Sequence, residues 1–399
     1  MTAWFLEGWA IIAAVVTNGI LLMAAISAAN RPRKMAPLAR PAGCPVLLVR
    51  PFRGLDDEAR KKHATLLEQS YMPSSVRFVC ASRTDPGLPA ARAACLADPD
   101  RASCLVVEGY DDVVSDKARN MIASWRSSSE RFVAFCDSDL ALEPDALAEC
   151  MSKFDRDDVG AVFAHCVVDS PGPLGRISML TLTADAYAFL IGCARFGAVP
   201  FLEGGLMVLR RAAVEQAGGI EMIAGAIGDD TRLGRRLRRA KFELRLAPFV
   251  IVHQSGAESP REWLSRYRRW LACHRTEVTA GFWSELLLNP TVAPILALPL
   301  FLPKVGWTIA MTSVLLRTAT TAFIDRVLLR RHGIRLGWWC LLRPLADVIH
   351  FCVCVSVVTY PWITWRGIRY HLGSRGDLAR ANASGAASEQ EVAVETGAF

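Results

Sequence analysis

Two aspartates stand two positions apart, at residues 137 and 139, directly after an apolar stretch. The apolar run over 132–136 predicts a buried strand, so Asp137 and Asp139 lie where a strand gives way to a loop. Carboxylates in this arrangement can converge on one divalent ion, and Mg²⁺ or Mn²⁺ binds such oxygens together with those of a nucleotide-sugar diphosphate. An acidic turn that caps the next helix, with Pro144 in its first turn, is the alternative interpretation.

A second pair of aspartates, Asp229 and Asp230, follows Gly228 at the start of a helix predicted over 231–240. A carboxylate at this junction could act as a general base on an acceptor hydroxyl. Either aspartate could equally cap the helix by accepting hydrogen bonds from its backbone N–H groups. The local pattern leaves both interpretations open.

An arginine-rich helix is predicted from about residue 259 onwards, where Ser259 and Pro260 supply start signals. Arg266, Arg269 and Trp270 occupy adjoining positions on one face of this helix. The arginines could stabilise the charge of a departing diphosphate, and the tryptophan could form a wall of the acceptor site. A basic helix lying on a membrane surface is the alternative.

The elements that must position these residues lie between residues 42 and 280, where apolar segments alternate with amphipathic ones. Strands are predicted over 44–51, 76–81 and 131–136, and a helix over 57–70. This alternation is typical of an α/β domain with a mainly parallel sheet and helices on both faces. Ligands bind such sheets at the carboxyl ends of the strands, and the first pair of aspartates lies at such an end.

The composition combines high apolarity with many charges. Hydrophobic residues make up 52% of the 399 residues and charged residues 21%, which suits a soluble domain on a membrane anchor and excludes wholesale disorder, a collagen-like fibre or a small disulfide scaffold. The 12 cysteines are scattered along the chain, which indicates reduced thiols rather than a zinc knuckle. The net charge of +7 concentrates beside apolar segments, so nucleic acid is not a predicted partner.

An uncharged stretch over 9–29 is long enough for a transmembrane helix, because 21 residues at roughly 1.5 Å each span a hydrocarbon core of roughly 30 Å. A secretory signal peptide is the competing interpretation, yet Glu7 stands where a signal peptide has basic residues. The basic cluster follows the apolar run, over 31–40, and the positive-inside rule therefore predicts that the next domain is cytoplasmic.

Two more apolar regions, 286–316 and 336–365, follow the predicted α/β domain and can be counted as two or three spans. Their basic flanks, 317–335 and 366–375, both favour the cytoplasm, so one region is expected to lie in the interface or to re-enter the membrane. The predicted organisation is an anchor over 1–34, an α/β domain over 42–280, a membrane domain over 286–370 and a disordered tail over 377–399.

The order of the motifs RPFRGLD, FCDSD, GDD and RYRRW, between one N-terminal span and a C-terminal hydrophobic block, resembles that of the ceramide glucosyltransferases and their bacterial relatives. These are membrane-bound, inverting glycosyltransferases with the GT-A fold, a Rossmann-like fold for nucleotide-diphospho-sugar substrates. The resemblance covers nearly the whole chain, and residues 365–370 are similar to the Trp-Arg...Arg-Tyr segment that closes the family's membrane domain. It implies a cytosolic GT-A domain with transmembrane helices at both ends.

The resemblance also implies roles for individual residues. Asp230 matches the catalytic base, with Asp229 in place of the usual glutamate, and Asp137 matches an aspartate motif that continues here to Asp139 as a full DxD for metal. Lys117 matches a family Asn-Pro-Lys-x-Asn-Asn segment whose Asn-Pro is absent here. The implied donor-binding residues are Asp56, Asp85 near the uracil, Lys117, Asn120, Asp137, Gly205 beside Gly204, and Arg266, Arg269 and Trp270 of the R-x-x-R-W motif.

The activity that the resemblance implies is that of a metal-dependent hexosyltransferase. It would move a hexose, glucose first, from a UDP-sugar to a lipid hydroxyl, and ceramide would give β-glucosylceramide, a step of sphingolipid metabolism. Transfer from UDP-N-acetylglucosamine or another UDP-hexose to a hopanoid or other lipid is the alternative, and a non-catalytic membrane scaffold is a second. The expected location is a bacterial inner membrane, crossed several times, with the catalytic domain on the cytoplasmic side.

Overall fold

The structure is a computed structural model that describes residues 2–29, 43–55, 58–72, 74–108, 115–169, 172–253, 259–300, 303–365, 368–373 and 376–380. The strands are β1 (Val46–Pro51), β2 (Ser74–Cys80), β3 (Ala102–Val106), β4 (Phe132–Cys136), β5 (Val159–Val168), β6 (Leu206–Arg210), β7 (Glu243–His253), β8 (Trp362–Trp365), β9 (Ile368–Leu372) and β10 (Leu378–Arg380). The helices are α1 (Thr2–Ala29), α2 (Ala59–Leu67), α3 (Leu88–Ala97), α4 (Asp116–Arg126), α5 (Ala146–Met151), α6 (Gly172–Ser178), α7 (Asp185–Arg195), α8 (Arg211–Gln216), α9 (Asp229–Arg239), α10 (Pro260–Glu277), α11 (Thr279–Leu287), α12 (Val292–Ala297), α13 (Pro303–Val327) and α14 (Arg343–Thr359).

A seven-stranded sheet with the order β3-β2-β1-β4-β6-β5-β7 forms the centre of the α/β domain. Strands β3, β2, β1 and β4 pair in parallel, so the carboxyl ends of β1 and β4 lie at one edge of the sheet. Strand β6 runs antiparallel to β4 and pairs its first residue, Leu206, with Cys136, so the chain enters β6 at that same edge. The predicted α/β fold with a mainly parallel sheet is confirmed.

A buried arginine joins strand β1 to the helix that follows it. Arg50 is fully buried, and its guanidinium donates to the carbonyl of Leu140 at 2.7 Å. It also lies 3.5 Å from Nδ1 of His63 in α2, whose ring is only 2% exposed and packs on Phe78. Burial, and then the charge of Arg50, lowers the pKa of His63 to about 4.

The lowered pKa of His63 predicts that the fold is less stable at acidic pH. The unfolded chain binds a proton at His63 near its ordinary pKa of 6.5, whereas the folded chain binds it near 4, so stability is lost as pH falls between these values. We expect the free energy of unfolding to fall by about 3 kcal/mol from this group between pH 7 and pH 4. Thermal unfolding in detergent of the wild type and His63→Leu tests this. Equal acid sensitivity of the two proteins would contradict it.

Three helical stretches of the described residues are long and apolar enough to cross a membrane: Gly8–Ser27, Gly172–Arg195 and Gly337–Thr359. The first and the third lie in regions where the sequence predicts spans. The second, made of α6, a π-helical stretch and α7, lies inside the predicted α/β domain, between β5 and β6, and was missed. Its charged residues Arg176 and Asp185 interrupt the apolar run and hid it from the sequence pattern.

The α6–α7 segment is packed against the other apolar helices. A side chain added at Gly192 in α7 would meet the Cβ atom of Ala24 in α1 at 2.8 Å, so glycine allows the two helices to approach closely. Arg343 of α14 lies 2.7 Å from Asp185 in α7 and 2.6 Å from Asp347 in its own helix, and Arg317 of α13 pairs with both carboxylates. Buried charges that pair in this way hold α7, α13 and α14 in one arrangement.

The first C-terminal apolar region, 286–316, is not one continuous helix. The chain forms the end of α11, the short α12, a 3₁₀ turn over Leu298–Leu300 and the start of α13. Prolines cause these breaks, because proline has no N–H to donate and its ring clashes with the preceding helical turn. The second region, predicted over 336–365, ends as a helix at Thr359 and continues as strand β8.

The prediction of a disordered tail over 377–399 is wrong for the first residues of that range. Residues 378–380 form β10, which pairs with β9 in a three-stranded antiparallel sheet, and Leu378 is buried. The backbone N–H of Leu378 donates to the carbonyl of Gly225 at 2.9 Å, so the α/β domain supplies the hydrogen-bonding partner that orders this segment. The rest of the predicted tail, residues 381–399, lies outside the described residues.

Candidate active site

A cleft opens at the carboxyl ends of β1 and β4 and has a volume of about 780 Å³, including its open mouth. Its walls come from the two strand ends, the starts of α4 and α9, one residue of α10, and the C-terminal hairpin formed by β8 and β9. The lining residues are Pro51, Phe52, Arg53, Ser115, Asp116, Lys117, Asn120, Asp137, Ser138, Asp139, Asp229, Arg269, Trp365 and Tyr370.

The first pair of aspartates, Asp137 and Asp139, lines this cleft. Asp137 donates its backbone N–H to the carbonyl of Gly205 at 3.0 Å, and its Oδ1 lies 2.8 Å from Nζ of Lys117. Oδ2 of Asp139 lies 3.1 Å from Nε2 of His253, the last residue of β7. The next helix begins at Ala146, so neither aspartate caps it and the capping interpretation is wrong.

The two carboxyl groups differ in their electrostatic surroundings. Burial raises the pKa of Asp137, and the neighbouring Asp139 adds to this rise while Lys117 opposes it. Burial acts in the same direction on Asp139, but the hydrogen bond and the charge of His253 outweigh it and hold the pKa of Asp139 well below its usual range. Asp139 is therefore ionised at neutral pH.

Lys117 joins both pairs of aspartates. It lies in the first turn of α4, where Ser115 caps the helix, and its Nζ is 2.8 Å from Asp137 and 3.2 Å from Oδ2 of Asp229. Burial alone would lower the pKa of Lys117, but Asp137, Asp229 and Asp230 more than offset it and raise the pKa. This ammonium group therefore stays charged at the centre of the site.

Asn120 lies one helical turn after Lys117, on the same side of α4. Its Nδ2 donates to the carbonyl of Val79 at 3.2 Å, which anchors the side chain to strand β2. Its Oδ1 is buried, lies on a residue that lines the cleft, and has no hydrogen-bond partner among the described residues. This oxygen could accept a hydrogen bond from an N–H or O–H group of a ligand.

The second pair of aspartates opens α9. Asp229 faces the cleft and Lys117, whereas the Oδ1 of Asp230 accepts the N–H of Thr231 at 2.6 Å. A Cβ atom at Gly204 would lie 2.9 Å from Oδ2 of Asp230, so this glycine leaves room for the carboxylate. Burial, and then the charge of Asp229, raises the pKa of Asp230 to about 7. Asp230 therefore makes one hydrogen bond at the start of α9 and also has a raised pKa, which suits a general base.

The three residues of the R-x-x-R-W motif lie in two different places, one on the cleft and two beside each other along α10. The guanidinium of Arg269 lies 5.1 Å over the ring of Trp365, and both residues line the cleft. Arg266 lies 4.9 Å over the ring of Trp270, so these two residues pair with each other along α10. The structure therefore brings Arg269 to the cleft and pairs Arg266 with Trp270.

Two further predicted residues hold the backbone of the site. Asp85 accepts the N–H of Gly54 at 3.0 Å and that of Gly87 at 2.8 Å, which positions the loop after β1. Gly205 accepts from Asp137, and a Cβ atom there would lie 3.2 Å from Leu140, which favours glycine at this close approach. Asp56 lies outside the described residues.

The sequence profile of glycosyl transferase family 21 matches residues 8–378. The chain belongs to glycosyl transferase family 21. The match includes the cleft, the candidate spans and β8 and β9, so the family assignment covers the catalytic and the apolar parts together. The chain is therefore a glycosyltransferase.

Two solved glycosyltransferases match this family 21 chain to different degrees. The mannosyltransferase PcManGT from Pyrobaculum calidifontis, solved with GDP-Man and Mn²⁺, matches with a TM-score of 0.54 and 19% identity over 87% of this chain and 99% of that one. Glucosyl-3-phosphoglycerate synthase from Mycobacterium tuberculosis, solved with Mn²⁺, UDP and glucosyl-3-phosphoglycerate, matches with a TM-score of 0.38 and 17% identity over 64% and 85% of the two chains. The first likeness supports the GT-A fold.

His253 is a residue of the candidate site that the sequence analysis missed. It ends the apolar run of β7 in the way that Asp137 follows β4, so the rule of polar residues at strand ends could have found it. Its partner Asp139 comes from a different strand end, and only the sheet order brings the two side chains together.

The C-terminal hairpin is the second missed part of the site. Trp365 and Tyr370 line the cleft. The N–H of Ile227 donates to the carbonyl of Gly376 at 3.1 Å, and Arg232 of α9 lies 2.9 Å from Asp377. These contacts fix the loop that precedes Asp229 and Asp230, so the segment that follows β9 positions the start of α9.

Proposed function

We propose that this family 21 glycosyltransferase moves a hexose, glucose first, from a UDP-sugar to the hydroxyl of a membrane lipid with inversion at the anomeric carbon. Ceramide is the first acceptor to test, and the product would be a β-glycoside. The observation that carries the proposal is the convergence of Asp137, Asp229 and Asp230 around one ammonium group, that of Lys117. The complex of PcManGT with GDP-Man and Mn²⁺ supports a nucleotide-sugar donor and a divalent ion.

Asp137 and Asp139 fit a Mg²⁺ or Mn²⁺ ion through their carboxylate oxygens. Oxygens of the donor diphosphate would complete the coordination shell of such an ion. Bound there, the ion would offset the charge of the diphosphate and improve UDP as a leaving group. His253 holds Asp139 in place for this task.

Asp230 would accept the proton of the lipid hydroxyl as that oxygen attacks the anomeric carbon from the side opposite to UDP. Lys117 links the two pairs of aspartates, since its ammonium group lies 2.8 Å from Asp137 and 3.2 Å from Asp229. Arg269, held by the ring of Trp365, lies on the cleft where it can donate to the departing diphosphate.

Because Lys117 is positively charged, its replacement is predicted to shift the pH profile of the transfer rate. Only deprotonated Asp230 accepts a proton, so the rate is expected to rise with pH through about 7. Lys117 lowers the pKa of Asp230, so Lys117→Met should move this acidic limb to higher pH. Initial rates between pH 5.5 and 9 test this, with exposed Lys61→Met as the control. A limb that stays in place or moves to lower pH would contradict the assignment.

The experiment for the function uses membranes that contain the chain, supplied with UDP-glucose, Mg²⁺ or Mn²⁺, and ceramide, with lipid products analysed by mass spectrometry. A hexosylceramide that is absent with Asp230→Asn supports both the reaction and the base. Transfer to an endogenous polyprenoid lipid in place of ceramide would keep the mechanism and change the acceptor. No transfer with any donor and lipid would contradict the proposed activity.

The positive residues after α1 support a catalytic domain on the cytoplasmic side of a bacterial inner membrane. Sealed inside-out vesicles should then use UDP-glucose added from outside without a detergent. Right-side-out vesicles should require permeabilisation. The opposite pattern would reverse the orientation.

A further inference from the structure

A histidine lies within the third candidate span, Gly337–Thr359. His350 of α14 is 2.7 Å from the hydroxyl of Tyr267 in α10, and its Nε2 is 3.4 Å from Oε2 of Glu285 in α11. Polar groups inside membrane spans are costly and commonly mark a substrate path, so this cluster needs an explanation beyond packing.

The cluster continues from Glu285 towards the catalytic carboxylates. Oε1 of Glu285 lies 3.5 Å from Nδ1 of His274 in α10, and the ring of His274 is 6.0 Å from that of Phe201. The preceding residue, Cys273, lies 3.3 Å from the position of a Cβ atom at Gly228, directly before α9. These contacts thus connect the start of α9 with α14. We call the three polar residues among them, His274, Glu285 and His350, the polar track.

The charges of the polar track are set by its own members and by the active site. Burial would raise the pKa of Glu285, but His274 and then His350 hold it well below its usual range. Burial would lower the pKa of His274, but Glu285, and more weakly Glu203 and Asp230, raise it. Asp230 is therefore near enough to His274 for their charges to interact.

Part of the polar track is exposed between the three helices that surround it, although Oε2 of Glu285 itself is buried. The side chains of His274 and Glu285 keep 27% and 38% of their surface exposed. Apolar side chains on the same helix as Glu285 are also exposed, namely Trp283 and Leu287. Hydrogen-bonding groups next to exposed apolar surface match an amphiphile with a polar head and a hydrocarbon chain.

We propose that the polar track binds the uncharged polar headgroup of the lipid acceptor and directs its hydroxyl towards Asp230. This inference rests on the proposed function and adds the acceptor subsite to it. The carboxylate of Glu285 would accept from a hydroxyl or amide N–H of the lipid, and His274 would donate to a hydroxyl or carbonyl oxygen. A phosphate headgroup is disfavoured, because the three carboxylates of Glu285, Glu203 and Asp230 outnumber the two histidines of the track and would repel its negative charge.

The test measures initial rates of the full-length protein in detergent micelles with N-hexanoyl-sphingosine as acceptor and UDP-glucose as donor. Glu285→Gln and His274→Gln should raise the KM for the acceptor about 10- to 100-fold, the loss expected for a hydrogen bond to a charged group. The KM for UDP-glucose should stay within about twofold of the wild type, since neither residue lines the donor cleft. Glu221→Gln, at an exposed carboxylate, is the matched control.

A merely structural role of the polar track would change both KM values together or lower the yield of folded protein. UDP-glucose binding and gel filtration distinguish these cases, and His350→Gln supplies a third variant from a different helix. A wild type that glycosylates the acceptor, together with folded variants of unchanged acceptor KM, overturns the inference alone. A wild type that transfers no sugar to this acceptor overturns the proposed ceramide activity and the inference with it.

A photoreactive ceramide gives a readout that does not depend on turnover. It should label peptides of α10, α11 or α14 in the wild type, and Glu285→Gln should reduce this labelling. An excess of polyprenyl phosphate should not compete with the labelling, because its headgroup carries negative charge. Labelling confined to other helices, or effective competition by polyprenyl phosphate, would contradict the proposed subsite.

Discussion

Asp230→Asn is expected to lower hexose transfer by about 10²- to 10⁴-fold, the usual contribution of a general base. Asparagine has nearly the same shape, so it can still accept the N–H of Thr231 and fill the space beside Gly204. It cannot take the proton of the acceptor hydroxyl. Binding of the UDP-sugar should change little, because Asp229 rather than Asp230 lines the donor cleft.

Steady-state rates and equilibrium binding of the UDP-sugar check this expectation side by side. Asp100→Asn, at an exposed position in a turn, is the matched control and should behave like the wild type in both measurements. A parallel loss of donor binding and turnover in Asp230→Asn would show that Asp230 supports the donor site instead of acting as the base.

Asp137→Ala has the second large expected effect, on donor binding. Removing this carboxylate takes away one candidate metal ligand and the partner of Lys117 at 2.8 Å. We expect the affinity for the UDP-sugar with Mn²⁺ or Mg²⁺ to fall roughly 100-fold, because a bound ion contributes several kcal/mol at a phosphate group. With EDTA present, the variant and the wild type should bind the donor with similar weak affinity.

Calorimetric titration of the UDP-sugar, with and without the metal, measures this difference. Asp139→Asn extends the test, since it keeps a side chain near His253 while removing the charge. An Asp137→Ala protein with the metal dependence of the wild type would remove Asp137 from the metal site and leave it as a structural partner of Lys117.

The elements that carry the site were predictable from local patterns. The apolar run before Asp137 forms β4, and the predicted helix over 231–240 corresponds to α9, which begins two residues earlier. Ser259 caps α10 through a hydrogen bond to the N–H of Glu262, as its position before Pro260 indicates. These predictions succeed because strands and capped helices follow from the periodicity and residue types of short segments.

Predictions failed where neighbours distant in sequence decide the structure. The α6–α7 segment contains Asp185, and the pattern gave no sign that Arg317 and Arg343 would pair with it. Residues 377–380 begin a stretch with the composition of a disordered tail, yet Gly225 and Arg232 supply partners that order them. In both cases the energy comes from contacts that no short window contains.

The sequence by itself determined the family, the α/β class, the two pairs of aspartates and the apolar segments on both sides of the α/β domain. Only the tertiary structure decided that Lys117 of α4 stands between Asp137 after β4 and Asp229 of α9, and that His253 of β7 meets Asp139. The reason is physical: residue type and local period specify what each segment can form, whereas the order of strands and the packing of helices set which charges share one cleft.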